Sequence, residues 1–314
     1  MSWLSDDALS RLRSAASAPD LSGTRYRLLG EIGRGGMSTV FLAEDPSLGR
    51  RVALKVLDVP DETGDLAARL GREARILARL EHPGIAPVHE VGRLPDGRVY
   101  YAMKFVSGPR LDAYAASSAT LAERLRLFQR ILEAVAFAHD RGVLHRDLKP
   151  ENIMVGPFGE VLVMDWGLAK QLEAPADPLA DLPASRGHTG HGAVLGTPGY
   201  MAPEQARGEV ASLDVRTDVF ALGAVLLHLL GGRTPAPLLA ICRKAMADAP
   251  AERYPSALAL HADVDRYLDG RRVEAYPEGP GRKAARLYAR HRIAFWLIVT
   301  YLVVRGSLLF FGGR

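Results

Sequence analysis

The run His145-Arg146-Asp147-Leu148-Lys149-Pro150-Glu151-Asn152 constrains this chain more than any other stretch. Six of its side chains are charged or strongly polar, and two apolar runs follow at once, 153–155 and 161–164, joined through Gly156-Pro157-Phe158-Gly159. That is the pattern of a short β-hairpin. The hairpin leads into Asp165-Trp166-Gly167, so its return brings Asp165 back beside Asp147, Lys149 and Asn152. Hard oxygen ligands next to a lysine suit a Mg2+-bound phosphate. The alternative, an ordinary solvated loop, does not account for so specific an arrangement.

The rest of the chain divides around this loop. From Tyr26 to Val106, β-branched runs alternate with turns, and one helical segment, 65–80, interrupts them. From Leu121 onward the chain reads as mostly helical. Leu121, Leu125, Phe128, Leu132 and Val135 form one stripe over 121–141, with Gly142 as the stop. Residues 219–230 are almost wholly apolar but too short to cross a bilayer, which predicts a buried core helix. Residues 171–196 have no period and read as loop. The expected fold is α+β, a small β-rich lobe followed by a larger helical one, and 314 residues can bury a core of that size.

Two further features carry chemistry. Ile32-Gly33-Arg34-Gly35-Gly36-Met37-Ser38-Thr39-Val40 lies between two strand-like runs. Glycines let a backbone turn point its N–H groups at phosphates, although a Gly-rich hairpin alone is more often a plain turn, and the run lacks a Walker A ending. Lys55 stands inside the apolar strand Val52-Ala53-Leu54-Lys55-Val56. In the helical segment Leu66, Leu70, Glu73, Leu77 and Leu80 follow at helical spacing, so Glu73 faces the core. A buried carboxylate needs a cation, and Lys55 is the candidate. The alternatives are a snorkelling lysine and a partly exposed glutamate.

Taken in order, these motifs together with Ala202-Pro203-Glu204 resemble those of the bacterial eukaryotic-like (Hanks-type) serine/threonine protein kinases, over about residues 26–270. The resemblance implies a two-lobed protein-kinase-like fold, with 26–106 as N-lobe and hinge and 107–270 as C-lobe. It implies a serine/threonine protein kinase that uses ATP with Mg2+ (or Mn2+) and acts on protein Ser/Thr hydroxyls. Asp147 would orient the substrate hydroxyl and accept its proton. Lys149 would steady the transferring group, and Lys55, paired with Glu73, would hold the α- and β-phosphates. Asn152 and Asp165 would hold the metal. Ile32, Gly33, Arg34, Gly35, Gly36, Met37, Ser38 and Val40 would cover the nucleotide. Ala53 and Met154 would sandwich the adenine, and Met103, Phe105 and Val106 would form the hinge. Thr189, Ser185 and Thr197 are candidate phosphorylation sites in an activation segment ending at Glu204. Arg146 would meet a phosphate there, Asp218 would brace the catalytic loop, and Arg253 would pair with Glu204. A homodimer would permit autophosphorylation.

The departures from the family pattern are Ser38 for a glycine, Trp166 for the usual phenylalanine, and a region 231–241 too short for the usual extra helix. That shortening keeps a second reading open, a pseudokinase scaffold that binds nucleotide but transfers little. A small-molecule phosphotransferase is opposed by Ala202-Pro203-Glu204, the element that docks polypeptides.

Charge and cysteine content narrow the setting. The net charge is only +4, and the seven basic residues within 271–292 outweigh two acidic ones, so the globular part is slightly acidic and is not expected to bind nucleic acid. A single cysteine, Cys242, excludes a disulfide framework and fits a reducing compartment. His139, His188, His191 and Cys242 show no metal-ligand spacing. Residues 1–25 read as a flexible leader rather than a signal peptide. Residues 271–292 read as a basic linker, and 293–314 as a transmembrane or amphipathic helix. A span over 293–311 would anchor cytoplasmic lobes to the cytoplasmic membrane, with the shortness of the unbroken apolar run and Arg305 against it.

Overall fold

The computed structural model describes residues 18–35, 38–58, 65–115, 119–166, 170–171, 197–232, 234–277, 279, 281, 291 and 295–305. The N-terminal lobe is a five-stranded antiparallel sheet of β1 (Arg27–Arg34), β2 (Ser38–Asp45), β3 (Arg50–Leu57), β4 (Val88–Arg93) and β5 (Val99–Lys104), in the order β1-β2-β3-β5-β4. Helix α1 (Asp65–Arg79) crosses between β3 and β4. The two sheet faces are covered differently. Phe41, Val52, Leu54 and Tyr100 pack with Tyr26 on one side, while Ala53, Tyr101 and Met103 join Leu70, Ala74 and Leu77 of α1 on the other. Alternation along β3 and β5 is what sends neighbouring residues to opposite faces.

The larger lobe runs through α2 (Leu111–Ala115), α3 (Leu121–Asp140), the short strands β6 (Val143–Leu144), β7 (Ile153–Val155), β8 (Val161–Val163) and β9 (Lys170–Gln171), then α4 (Pro203–Ala206), α5 (Val215–Leu230), α6 (Ala236–Ala245) and α7 (Ala257–Leu268). A reciprocal capping box starts α3. Thr120 N–H donates to Glu123 Oε2 at 2.7 Å, and Glu123 N–H donates to Thr120 Oγ1 at 3.3 Å. Leu125, Phe128, Leu132 and Val135 are buried, Leu121 is half-buried, and Gly142 ends the run at φ 70°. Helix α5 begins earlier than its apolar run at 219 because Asp214 caps it, accepting from Arg216 N–H at 2.7 Å. It is buried almost all round, as Val219, Leu222, Val225, Leu226 and Leu229 have no exposed surface.

Between α5 and α6 lies only the connection 231–235, so the two helices pack directly. A Cβ on Gly223 would sit 2.7 Å from the Ala245 Cβ, closer than real side chains approach. Outside this contact, a groove of about 620 Å3 runs along α6 past Leu239, Arg243 and Lys244 to Tyr276 and Pro277.

Both outer boundaries differ from expectation. The leader expected over 1–25 already lies on the N-lobe from Ala18, whose carbonyl accepts from Arg98 at 3.1 Å, and Pro19 is buried. The linker expected from 271 is still part of the C-lobe through Tyr276. Asp263, fully buried, accepts from the N–H groups of Glu274 at 2.6 Å and Ala275 at 3.0 Å and from Tyr254 Oη at 2.7 Å, and Val273 is buried. A buried carboxylate satisfied by backbone donors fixes chain that composition alone assigns to a linker.

Farther on, residues 295–305 are helical and exposed apart from half-buried Val299, and 306–314 lie outside the described residues. Among the described residues no helix is long and apolar enough to cross a membrane, so the spanning helix expected over 293–311 is not found there.

Replacing Gly223 with valine should lower the stability of the protein by about 1–3 kcal/mol through overpacking at the α5–α6 contact, read as a drop in thermal midpoint. The corresponding change at Gly232, where an added Cβ meets nothing within 4 Å but φ is +57°, should act only through backbone strain.

Candidate active site

Lys55 is the meeting point of the two lobes. Its Nζ donates to Glu73 Oε1 at 2.9 Å and Oε2 at 3.3 Å, and to Asp165 Oδ1 at 2.9 Å. Strand β3 supplies the lysine, the inward stripe of α1 supplies Glu73, and the chain leaving β8 supplies Asp165. Burial alone would lower the lysine's pKa, but Tyr101, Glu73 and Asp165 outweigh it and hold the value above its ordinary level. For Asp165 the cost of burial, which would raise its pKa, is likewise outweighed by Lys55, and the carboxyl stays below its usual range. Glu73 has a further partner that motif spacing does not reveal: Tyr101 Oη donates to its Oε1 at 2.7 Å.

Asp147 stands in a second cluster. Its Oδ1 accepts from Thr197 Oγ1 at 3.1 Å, and its Oδ2 lies 3.1 Å from Lys149 Nζ and accepts from Asn152 Nδ2 at 3.2 Å. Lys149 also donates to Thr197 Oγ1 at 2.7 Å. Asn152 Nδ2 additionally donates to the Asp147 carbonyl at 2.9 Å, which leaves its Oδ1 for another role. The structure thus brings Asp147, Lys149 and Asn152 together with Thr197. That residue was expected as a phosphorylation site, and its hydroxyl is engaged by Asp147 and Lys149.

The loop carrying Asp147 is held in an uncommon backbone shape. Arg146 at φ 71° and Asp165 at φ 58° are the only described non-glycine residues with positive φ. Such a conformation costs about 1–3 kcal/mol per residue and persists when its surroundings over-determine it. Around Arg146 they do. The backbone N–H groups of His145 and Arg146 each donate to Asp218 at 2.9 Å, and Gln205 Nε2 donates to the Arg146 carbonyl at 2.7 Å. Hydrogen bonds to a charged group contribute about 1.5–3 kcal/mol each, so the pair on Asp218 exceeds the strain. Burial would raise the Asp218 pKa, but His139 at 2.8 Å and the loop N–H groups keep it lowered.

His145, fully buried, joins the two halves of the site. Its Nε2 is 2.9 Å from the Met164 carbonyl and its Nδ1 accepts from Asp147 N–H at 3.3 Å, which fixes the Nε2–H tautomer. Its ring lies 4.6 Å from that of Trp166, which is buried and donates to the Val163 carbonyl. The Arg146 side chain is half-buried, and its Nε has no hydrogen-bond partner among the described residues.

Farther from the cleft, Glu204 and Arg253 form a fully buried bidentate pair at 2.7 and 2.8 Å. The remaining donors of the guanidinium reach the carbonyls of Ala247, Arg216 and Asp248, so all five N–H groups are used. Burial would raise the Glu204 pKa, but Arg253 keeps it below its ordinary value.

The expected nucleotide contacts fall on both sides of the cleft. Val40, Ala53 and Met103 pack in the main core, and Val106 and Met154 join Ala86 and Leu162 in a smaller one. Phe105 is half-buried and Ile32 largely exposed. Gly33 and Arg34 close β1 against β2, and Gly35 N–H donates to the Ser38 carbonyl at 2.8 Å. Gly36, Met37, Ser185, Thr189, His188 and His191 lie outside the described residues. Cys242 is buried and its thiol pushed up to about 12, which marks it as core.

The geometry describes a cleft with a cation held by two carboxylates on one wall and an aspartate, lysine and asparagine on the other. Comparison with known proteins agrees. Residues 26–253 match the protein kinase domain family. The serine/threonine-protein kinase PknD of Chlamydia caviae is 37% identical over 295 residues, covering 78% of this chain and 31% of its own length. A probable serine/threonine-protein kinase PknB of Lactococcus lactis is 38% identical over 258 residues, covering 80% of this chain and 38% of its own. Among solved structures, the kinase domain of Mycobacterium tuberculosis PknI superposes with TM-score 0.57 at 26% identity, covering 79% of this chain and 98% of that one. The chain therefore belongs to the protein kinase family, in its bacterial serine/threonine-specific branch. It spans about a third of the length of the curated relatives it matches.

Because the folded Glu204 pKa is depressed, its pairing contributes stability that is complete above the unfolded value of about 4.3 and is lost as pH falls through the folded value. Urea denaturation at pH 7 and pH 3 should show this loss in the parent protein. Glu204→Gln should be about 3–5 kcal/mol less stable at pH 7, with a shallower decline on acidification.

Proposed function

We propose that the chain is an active protein kinase that transfers the γ-phosphoryl group of Mg·ATP to Ser/Thr hydroxyls of proteins, its own activation segment included. The observation that carries this reading is the pair of hydrogen bonds made by the Thr197 hydroxyl, one to Asp147 and one from Lys149. A side-chain hydroxyl already rests where an aspartate can take its proton and a lysine can stabilise charge, which is the arrangement a substrate hydroxyl needs.

The residues suit the nucleotide and metal. Among the described residues no three His, Cys, Asp or Glu side chains are grouped to hold a metal by themselves. That fits Mg2+, which binds through one or two protein oxygens together with phosphates and water. Asp165 and Asn152 Oδ1 would hold it, and when bound it would neutralise charge on the phosphates. Lys55, kept cationic by its partners, would bind the α- and β-phosphates, and Ala53 and Met154 would enclose the adenine. Asp147 would accept the proton of the attacking hydroxyl, and Lys149 would stabilise the transferred group. No covalent intermediate on the protein is needed. The Arg146 Nε, which has no hydrogen-bond partner among the described residues, supports a phosphate in the segment 171–197 as its ligand.

Asp147→Asn should keep nucleotide affinity and lose turnover by about 10²-fold or more, while Asp165→Asn should lose Mg2+-dependent nucleotide binding. Labelled ATP, a generic basic protein and a nucleotide titration measure both. Normal transfer by Asp147→Asn would overturn the assignment, and phosphosite mapping against that variant tests modification within 171–197.

The tail completes the proposal. Phe295, Trp296, Leu297, Ile298, Tyr301, Leu302, Val303 and Val304 are all exposed on one helical stretch, behind a basic segment. This supports attachment of the tail to a membrane, with the lobes on the ATP-containing cytoplasmic side. The 314-residue chain should stay with membranes through a carbonate wash and a chain ending at Arg292 should not. Release of the 314-residue chain would end the anchoring reading.

A further inference from the structure

Tyr101 is a buried phenol facing the active site for which the roles above find no use. In the sheet register it stands directly opposite Lys55, on the adjacent strand. Directly opposed residues point to the same face, so both side chains reach toward α1. The Lys55 ammonium lies 5.7 Å from the Tyr101 ring centroid, within range of a cation–π attraction. The Tyr101 hydroxyl donates to Glu73 Oε1 at 2.7 Å, the oxygen that also accepts from Lys55 at 2.9 Å.

The two donors on Glu73 are not equivalent. Lys55 has a second carboxylate, Asp165, at 2.9 Å, so it keeps a charged partner if Glu73 withdraws. Tyr101 is 1% exposed, and Glu73 is its hydrogen-bond acceptor. An outward movement of α1 would strand a buried hydroxyl far from water, which is costly. Burial raises the phenol's pKa well above its ordinary value, so it stays protonated and able to donate at any working pH. Between its apolar neighbours Leu70 and Leu77, Glu73 is a polar attachment of α1 to the sheet, and Tyr101 sits in that sheet's interior.

We propose that Tyr101 is a positioning residue for phosphoryl transfer: its hydroxyl holds Glu73, and with it α1, in the inward arrangement that keeps Lys55 aimed at the nucleotide. The proposal rests on the kinase reading above. It makes the inward position of α1 a property built into the sheet, independent of an outside partner.

Tyr101→Phe removes the hydroxyl and keeps the ring. The test is a double-mutant cycle with Glu73→Ala, reading kcat and KM for MgATP, backed by hydrogen exchange over residues 65–79. Tyr101→Phe alone should lower kcat/KM about tenfold, the size expected for losing one hydrogen bond to a charged group, and should speed exchange in α1. In the Glu73→Ala background the same change should alter the residual kcat/KM by less than about twofold, because the group Tyr101 acts through is gone. Full activity in Tyr101→Phe would overturn the proposal. So would an equal loss in both backgrounds, the mark of a general structural effect. A parent protein with no transfer from ATP would instead fault the kinase reading, which separates the two failures.

Discussion

A lysine cation withdrawn from water sets the terms for this structure. Lys55 is 13% exposed, in the middle of a strand whose neighbours are apolar. An ammonium there is tolerable only with charged partners, since leaving one such ion uncompensated costs several kcal/mol. Its partners come from remote places: α1 must lie across the sheet to deliver Glu73, and the hairpin of the other lobe must return to deliver Asp165. Each lobe's internal packing therefore serves one shared electrostatic requirement. The cleft between the lobes is where a charge belonging to neither alone is neutralised.

The C-lobe uses the same device for a different end. Asp218, Glu204 and Asp263 are all buried carboxylates with depressed pKa values; the first two are satisfied mainly by donors distant in sequence, and Asp263 by donors within twelve residues on either side. Asp218 imposes the backbone at His145 and Arg146, Glu204 ties the start of α4 to the chain before α7, and Asp263 gathers the chain after it. Apolar packing of α3, α5, α6 and α7 supplies the bulk of the stabilisation, roughly 1.5–3 kcal/mol for each large side chain buried. It does not specify loop direction, which these acids do.

What could be read from the chain in advance depended on whether the signal was local. The inward placement of Glu73 follows from helical spacing, and the return of Asp165 follows from a hairpin of a few residues. The role of Tyr101 does not, because it depends on which residue of β5 stands opposite Lys55, and register is a property of two strands together. Tyr101 also follows Tyr100 in sequence, and only pairing decides which phenol faces α1. Thr197 is another case: its place in the loop suggested a phosphorylation site, while the bonds that occupy its hydroxyl come from 48 and 50 residues away. At the ends, Ala18 and Val273 belong to the body through contacts that composition does not register.

The clasp of Asp263 on residues 274 and 275 has a mechanical meaning. A pull on the chain beyond Tyr276 is resisted by the packing of Tyr276 and by two backbone N–H groups bound by a carboxylate inside α7, with Lys244 and Arg266 gripping Glu274 alongside. The load enters near the base of the C-lobe and is shared between α6 and α7. The cleft, held by charges on other elements, lies off that line. A pull on that end of the chain therefore acts on α6 and α7 rather than on the elements that carry Asp147 and Lys55.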